Sequence, residues 1–293
     1  MFKVTQTEPG ILYLVATPIG NLRDFTFRAV DVLQQVDLIA CEDTRHSRPL
    51  LDHYGISTSA VPFHEHNEDS ASPRLVDRLL RGESIALISD AGTPLISDPG
   101  FPLVRSARSA GIRVVPVPGA CALVAALSAS GLPTDRFAFE GFLPRRPAAR
   151  KASLENLSND ARTLIFYESS HRVLESVADI AAIFPSERRL VIARELTKLF
   201  ETIVDTKVGE AISFLESDPN MLKGEFVLVL EGAPEFGRAE GLAAEEERIL
   251  RILLEDCSVK TAVALTVKIT GARRETVYRT ALRLNQERVR SDD

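Results

Sequence analysis

The feature that most constrains this chain is a series of short, largely continuous apolar runs with Gly, Pro or Asp near their ends. Residues 11–16, 36–40, 85–89 and 114–117 are such runs, rich in Val, Ile and Leu. A strand with one wet face alternates apolar and polar side chains, so an unbroken run of strand length describes a strand covered on both faces, as in a parallel sheet. Segments at helical spacing, residues 25–35, 73–81 and 102–110, lie between them. This alternation predicts a doubly wound α/β domain with right-handed crossovers. Val115-Pro116-Val117-Pro118-Gly119 then interrupts the pattern, because two prolines do not fit a continuing central strand. A hinge is expected there, closing a first domain at residues 1–118.

A second set of strand-like runs, at residues 137–142, 163–168, 190–195, 201–206 and 226–231, follows a small-residue helix at 120–130. Helices are expected at 172–183 and 208–215. Two runs adjacent in sequence near Glu195 and Thr202 suit a hairpin in a mixed sheet, so residues 119–232 read as a second α/β domain. Residues 232–241 hold three Gly and one Pro and read as a linker. Beyond it, residues 242–293 carry three helical patterns: 245–254; 259–270, with Ser258 as N-cap and Gly271 as C-cap; and 273–284. Three short helices with one Gly between the last two predict a helix-turn-helix-like appendage.

Three cysteines, Cys41, Cys121 and Cys257, are widely spaced with no CxxC, which argues against a disulfide framework or a clustered zinc site and for a reducing cytoplasmic home. His64-Glu65-His66 lacks an evident third ligand, and no metal is expected. No apolar run approaches the length of a membrane span, and no leader pattern follows Met1, so the chain reads as soluble and unprocessed. The formal charge of -6 argues at first against a nucleic-acid partner. Sorting the charge by segment reverses that inference: residues 258–290 carry eight Lys and Arg against two Glu, so the rest of the chain is strongly acidic. Arg145, Arg146, Arg150 and Lys151 form a second basic cluster, read as a loop. Basic residues on a helical tail and a loop are the footprint expected of a phosphate backbone; the competing reading is solvated helix faces and a flexible charged loop.

The usual nucleotide fingerprints are missing, since the sequence has neither GxGxxG nor GxxxxGK[ST], and no GxSxG elbow marks a hydrolase. Three Gly/Pro turns stand out instead, each where a strand is expected to end: Ala16-Thr17-Pro18-Ile19-Gly20-Asn21-Leu22; Ser89-Asp90-Ala91-Gly92-Thr93-Pro94-Leu95-Ile96-Ser97-Asp98-Pro99-Gly100; and Val117-Pro118-Gly119-Ala120-Cys121. In an open α/β sheet the carboxyl ends of strands form the ligand crevice, and small residues let backbone approach a ligand closely. The three turns are expected to share one stiff crevice.

These turns, with Glu42-Asp43-Thr44-Arg45, Gly131-Leu132-Pro133-Thr134 and Phe166-Tyr167-Glu168-Ser169-Ser170-His171-Arg172, resemble the tetrapyrrole methylase superfamily, in particular its branch acting on small-subunit ribosomal RNA. The resemblance spans residues 11 to about 232 in matching order, and the tail also fits. It implies a class III methyltransferase of two α/β domains with S-adenosylmethionine in the cleft between them. It further implies 2'-O-methylation of a cytidine ribose in 16S ribosomal RNA, and a homodimer. By resemblance the cofactor lies against Pro18; Asp90, Ala91, Gly92 and Thr93 with Ile96 and Ser97; and Ala120 and Cys121. Phe142, Leu143 and Phe226 are further candidates. The alternatives are a relative that methylates a small molecule or a modified protein side chain, and an RNA-binding module without cofactor.

A ribose hydroxyl is a poor nucleophile and must lose its proton to a base or be aligned for in-line attack. Asp24, Glu42, Asp43, His64, His66, Glu168 and His171 are candidates. Glu42 and Asp43 with Arg45, and Glu168 with His171 and Arg172, are favoured. Each group follows a strand-like run and pairs an acceptor with an Arg able to hold phosphate. The other reading of Glu42, Arg45, Glu168 and Arg172 is a structural network of ion pairs and caps. RNA is expected to meet Arg145, Arg146, Arg150 and Lys151 and, on the tail, Arg273, Arg274 and Arg279.

Overall fold

The computed structural model describes residues 8–234, 242 and 244–291, with side chains for 8–234, 242 and 245–284. The first sheet contains β1 (Ile11–Val15), β2 (Leu38–Cys41), β3 (Ala60–Pro62), β4 (Ile85–Ile88) and β5 (Arg113–Val117), all parallel, in the order β3-β2-β4-β1-β5. Helices α1 (Phe27–Gln35), α2 (Thr44–His53), α3 (Glu68–Leu80) and α4 (Phe101–Ser109) connect them. Every residue of β2 and of β4 is buried, as unbroken apolar runs demand, and separate apolar clusters cover the two faces of the sheet.

Strand order is what positions the turns. β1 lies between β4 and β5, with Val15 level with both Ile88 and Val117. The chain therefore leaves three neighbouring strands at one height, at Ala16, Ser89 and Pro118.

After α5 (Ala122–Ala129), the second sheet holds β6 (Phe137–Phe142), β7 (Thr163–Ser169), β8 (Arg189–Arg194), β9 (Thr202–Lys207) and β10 (Glu225–Leu230), in the order β6-β7-β10-β8-β9. It is mixed: β6 and β7 are parallel, the other pairs are antiparallel, and β8 and β9 form the expected hairpin. Helices α6 (Pro147–Leu157), α7 (Val173–Ile183) and α8 (Ala211–Glu216) complete it.

Both sheets lie in one compact unit, where the sequence suggests two domains divided at residue 118. The reason is α5. Its Leu123, Ala126 and Leu127 pack on Ile165, Val191 and Val229 of the second sheet, and Ile19 and Ile96 from the turns of the first sheet join the same cluster. A second unit comprises residues 159–161 and the chain from 232 onward. It contains α9 (Ala244–Asp256), α10 (Val259–Thr270) and α11 (Arg274–Ser291) around Leu250, Ala262, Val263, Val277, Ala281 and Leu284. Ser258 caps α10 by accepting from Thr261 N, and Gly271 ends it at a φ of 75°. Residues 235–241 of the expected linker lie outside the described residues, as do the side chains of Arg288 and Arg290.

Several local expectations are corrected. The expected run at 114–117 does form a strand, β5, which passes through Pro116 because it is an edge strand and a missing N–H there breaks no ladder. Helix α3 starts five residues before Pro73, and α2 and β3 were not anticipated. Residues 147–151 belong to α6, not to a loop, and they bury one of the expected RNA contacts. Arg150 is 2% exposed; its Nε donates to Asp179 Oδ2 at 2.6 Å and its Nη2 to Glu175 Oε2 at 3.3 Å. Arg150 braces α6 against α7 and is not an RNA ligand. Arg145 and Arg146 are exposed before the helix, and the Lys151 ammonium lies 3.6 Å from Asp179.

Candidate active site

The three turns are bonded into one structure. Thr17 and Gly92 exchange backbone hydrogen bonds, N to O, at 2.8 and 3.1 Å. Thr17 Oγ1 donates to Ser89 O at 3.2 Å, and Thr93 Oγ1 donates to Ala120 O at 3.0 Å. Gly119 lies so close to Ala16 that a Cβ there would meet the Ala16 methyl at 2.9 Å. Only a residue without a side chain allows the third turn to approach the first this closely. The far end of the long turn is tied down by Gly100 N, which donates to Glu68 Oε2 of α3 at 2.9 Å.

These turns form one wall of a cavity of about 400 Å³, within the range of small-molecule sites. Ile19, Asp90 to Thr93, Ile96, Ser97, Asp98, Cys121 and Ala122 line this side. The second sheet supplies the opposite wall: Phe142 from β6, Tyr167 to Ser170 from β7 and the turn after it, Ala193 and Leu196 at β8, and Gly224 to Val227 at β10. A bulge between Phe139 and Gly141 shifts the register of β6, and the rings of Phe139 and Phe142 both pack edgewise on Tyr167, at 4.8 and 5.7 Å between centroids. Tyr167 Oη accepts from Leu123 N at 3.1 Å, joining this wall to the start of α5. Burial pushes its phenol well above the usual range, so it stays protonated.

Of the expected cofactor contacts, Asp90, Ala91, Gly92, Thr93, Ile96, Ser97, Cys121, Phe142 and Phe226 line this cavity. Pro18, Ala120 and Leu143 stand behind the lining: Ile19 takes the place of Pro18, Ala120 presents its carbonyl to Thr93, and Leu143 is 3% exposed.

Acidic groups gather beside the long turn. Asp90 Oδ1 accepts from Asp43 N at 3.2 Å, linking the ends of β4 and β2. Burial, then the Asp90 carboxylate, raises the Glu42 carboxyl above its ordinary value, against the opposing influence of His64 and His46. Asp98 is pushed up to about 6, first by burial and then by Glu42, with a hydrogen bond from Ser89 opposing the shift. It enters the wall because Leu95 and Ser97 adopt left-handed backbone, φ 71° and 65°, and fold the segment back on itself. Sequence reasoning passed over Asp98, Tyr167 and Ile19, although all three lie inside the quoted motifs.

The expected catalytic residues divide. Asp43 caps α2: its Oδ1 accepts from Arg45 N at 2.8 Å and its Oδ2 pairs with Arg45 Nη2 at 2.9 Å, which draws its carboxyl down to about 2. That makes Asp43 a cap and a weak base. The Glu168 side chain is fully buried, accepting from Ser169 N at 2.8 Å and Ser176 Oγ at 2.6 Å, with Arg172 at 3.5 Å. Arg172 in turn donates to the Leu143 and Pro144 carbonyls. Glu168 and Arg172 are thus the structural network of the alternative reading, holding the end of β6 beside the cavity. His171 is exposed and absent from the lining; Arg45 is exposed at the surface. Glu42 stands behind the wall, beside Asp90 and Asp98.

Comparison with known proteins places these observations. Residues 11–212 match the family model of the tetrapyrrole (corrin/porphyrin) methylases, and residues 240–285 match that of the RsmI C-terminal HTH domain. The chain is 54% identical to ribosomal RNA small subunit methyltransferase I of Pseudomonas aeruginosa, over 93% of this chain and 97% of that one. It is 51% identical to the Haemophilus influenzae protein of the same name, over 93% and 96%. A solved uroporphyrin-III C-methyltransferase from Thermus thermophilus, complexed with S-adenyl homocysteine, shares the fold. It is 17% identical over 76% of this chain and 97% of its own, with a TM-score of 0.52. The two-sheet unit and the helical tail together make this chain a member of the ribosomal RNA small subunit methyltransferase I family, within the tetrapyrrole methylases.

Proposed function

We propose that this protein transfers a methyl group from S-adenosylmethionine to the 2'-hydroxyl of a cytidine ribose in 16S ribosomal RNA of the small subunit. The observation that carries this reading is identity above one half to named ribosomal RNA methyltransferases across nearly the whole chain, tail included.

The cavity fits the cofactor. Its volume and its mixture of apolar side chains, exposed turn backbone and carboxylates suit an adenosyl group joined to a charged amino acid. Asp90 and Asp98 on the wall favour a cation such as a sulfonium. When bound, the cofactor supplies an electrophilic methyl group on that sulfonium. The chain's own work is binding, alignment and exclusion of water. The bonded turns around Thr17, Gly92 and Ala120 fix one side of the ligand, and Tyr167 with Phe142 closes the other. We assign RNA phosphates to Arg45, Arg145 and Arg146 at the surface and to Arg273, Arg274 and Arg279 on the tail; the exposure of all six supports this.

We further infer that it works in the cytoplasm as a homodimer. Support for the dimer comes from exposed large apolar side chains, Phe27 at 91% and Leu199 at 89%. Sedimentation equilibrium reads the state directly.

The decisive experiment incubates the protein with labelled S-adenosylmethionine and, separately, 30S particles, naked 16S RNA and a tetrapyrrole. Label in one ribose-methylated cytidine is expected; label only in the tetrapyrrole overturns the reading.

A further inference from the structure

Charge is spread unevenly over α9, α10 and α11. Helix α9 neutralises its own: Arg248 pairs with Glu245 at 2.8 Å, Arg251 pairs with Glu247 at 2.8 Å, and Arg283 of α11 reaches Glu247 at 3.3 Å. Lys260 and Lys268 on α10, Arg273 just before α11, and Arg274 and Arg279 on it are exposed, and none of the five forms an ion pair with a described carboxylate. Residues 258–284 hold a single acid, Glu275.

One ring stands among these cations. Tyr278 is the only aromatic residue between positions 244 and 291, and it is 52% exposed. Its neighbours Val277, Ala281 and Leu284 fill the apolar core of the helical unit, in which Tyr278 takes no part. Among the described residues its ring meets no other ring or cation, and its hydroxyl makes no hydrogen bond. Residues four apart on a helix share a stripe, so Arg274 lies one turn before Tyr278, and Leu282, 41% exposed, lies one turn after it.

We propose that this stripe of α11 docks an unpaired stretch of ribosomal RNA, with one base stacked on the Tyr278 ring and the flanking phosphates held by Arg274 and Arg279. The inference deepens the ribosomal RNA reading above and rests on it. An exposed aromatic face is a platform that any unstacked base can cover, and Leu282 extends its apolar surface. Bases inside an A-form duplex already stack on one another, and the major groove of that duplex is too deep and narrow for side chains to read. A ring carried on a helix therefore finds its partner in an unpaired base. The charge selects RNA over a protein partner, since five unpaired cations against one carboxylate complement a phosphate backbone. The two kinds of contact also differ in kind: each neutralised phosphate steepens the dependence of log affinity on log salt, whereas a stacked ring releases no counterion.

The test measures fluorescence anisotropy of the full chain with a short unstructured RNA strand and with an RNA duplex of the same length, over a series of salt concentrations. Tyr278→Ala should weaken binding to the strand about 10-fold or more at every salt concentration. Its salt slope, its affinity for the duplex and its affinity for S-adenosylhomocysteine should stay those of the wild type. Tyr278→Phe should recover most of the loss, and Arg274→Ala should lower the slope instead. In the wild type, NMR of the Tyr278 ring protons should show an upfield shift with the strand and none with the duplex, which decides the matter even if Tyr278→Ala does not fold. Wild-type affinity for the strand in Tyr278→Ala, an equal loss on strand and duplex, or ring protons that do not move overturns the proposal. A wild type that binds neither RNA overturns instead the ribosomal RNA reading on which it rests.

Discussion

Thr17 and Gly92, 75 residues apart in sequence, form an isolated two-residue antiparallel bridge at the carboxyl edge of a wholly parallel sheet. The bridge binds the turn after β1 to the turn after β4, and Gly92 occupies it at a φ of 85°. The long turn is thereby anchored at its start by Thr17 and at its end by Glu68, with the cavity-facing residues held between two fixed points.

Gly92→Ala should therefore damage the site before it damages the fold. A Cβ at this position would meet Ile19 Cγ2 at 3.3 Å, on a backbone that L residues rarely adopt. A cost of about 1–2 kcal/mol is expected from the strain. Thermal denaturation should show a modest loss, and calorimetric titration a much larger loss of S-adenosylhomocysteine affinity. Unaltered affinity would show that the bridge does not shape the cavity.

How much of this was legible beforehand follows from the range of each interaction. The unbroken runs of β2 and β4 show in sequence because burial on both faces is a local compositional fact. So does the Ser258 and Gly271 pair that bounds α10, since caps are local chemistry. Glu168, in contrast, looks like a base from sequence and is a buried brace in the structure. Its partner Ser176 lies on the next helix, within reach only once α7 packs on β7. Asp98 was hidden for the opposite reason: nothing in Leu95-Ile96-Ser97 announces that two non-glycine residues adopt left-handed backbone. Arg150 was misread because α6 was missed, and a basic residue in a supposed loop defaults to solvent.

Arg150→Ala should be a stability mutant, without a specific defect in RNA binding. Its side chain is 3% exposed and that of Asp179 12%, so truncation takes the close partner from a buried carboxylate and leaves it only the Lys151 ammonium at 3.6 Å. Losing one partner of a buried pair costs about 3–5 kcal/mol. Arg145→Ala with Arg146→Ala should show the reverse, a normal melting temperature and weaker RNA binding. If both variants lowered RNA affinity alike at a temperature where both are folded, the separation of roles would fail.

The tail makes an electrostatic prediction. Arg273, Arg274 and Arg279 are exposed, around a core in which Val277 and Ala281 are buried. Replacing all three by Ala should flatten the dependence of log affinity on log salt by up to about 2 units, at roughly 0.7 for each phosphate of single-stranded RNA that is no longer neutralised. The S-adenosylhomocysteine affinity should not move. A salt slope identical to that of the wild type would remove these arginines from the RNA interface.

Asp98 also couples folding to pH, and the sign is opposite to that of a salt-bridged carboxylate. Its pKa in the folded chain is about 6, above its ordinary value of 3.8, so the folded state holds this proton more tightly than the unfolded one. Below the unfolded pKa both states are protonated and the group contributes its full share. As pH rises from the unfolded value through the folded one, the unfolded chain releases its proton first, and stability is lost until both are ionised. Asp98→Asn cannot ionise and escapes that loss. The difference in stability between variant and wild type should thus shift in favour of the variant as pH rises through this window, then level off. Because Asp98 is only partly buried, solvent screening reduces the effect to about 1 kcal/mol. Urea unfolding of both proteins across the window measures it. A difference that stays flat with pH would mean that the Asp98 carboxyl titrates as it does in an unfolded chain.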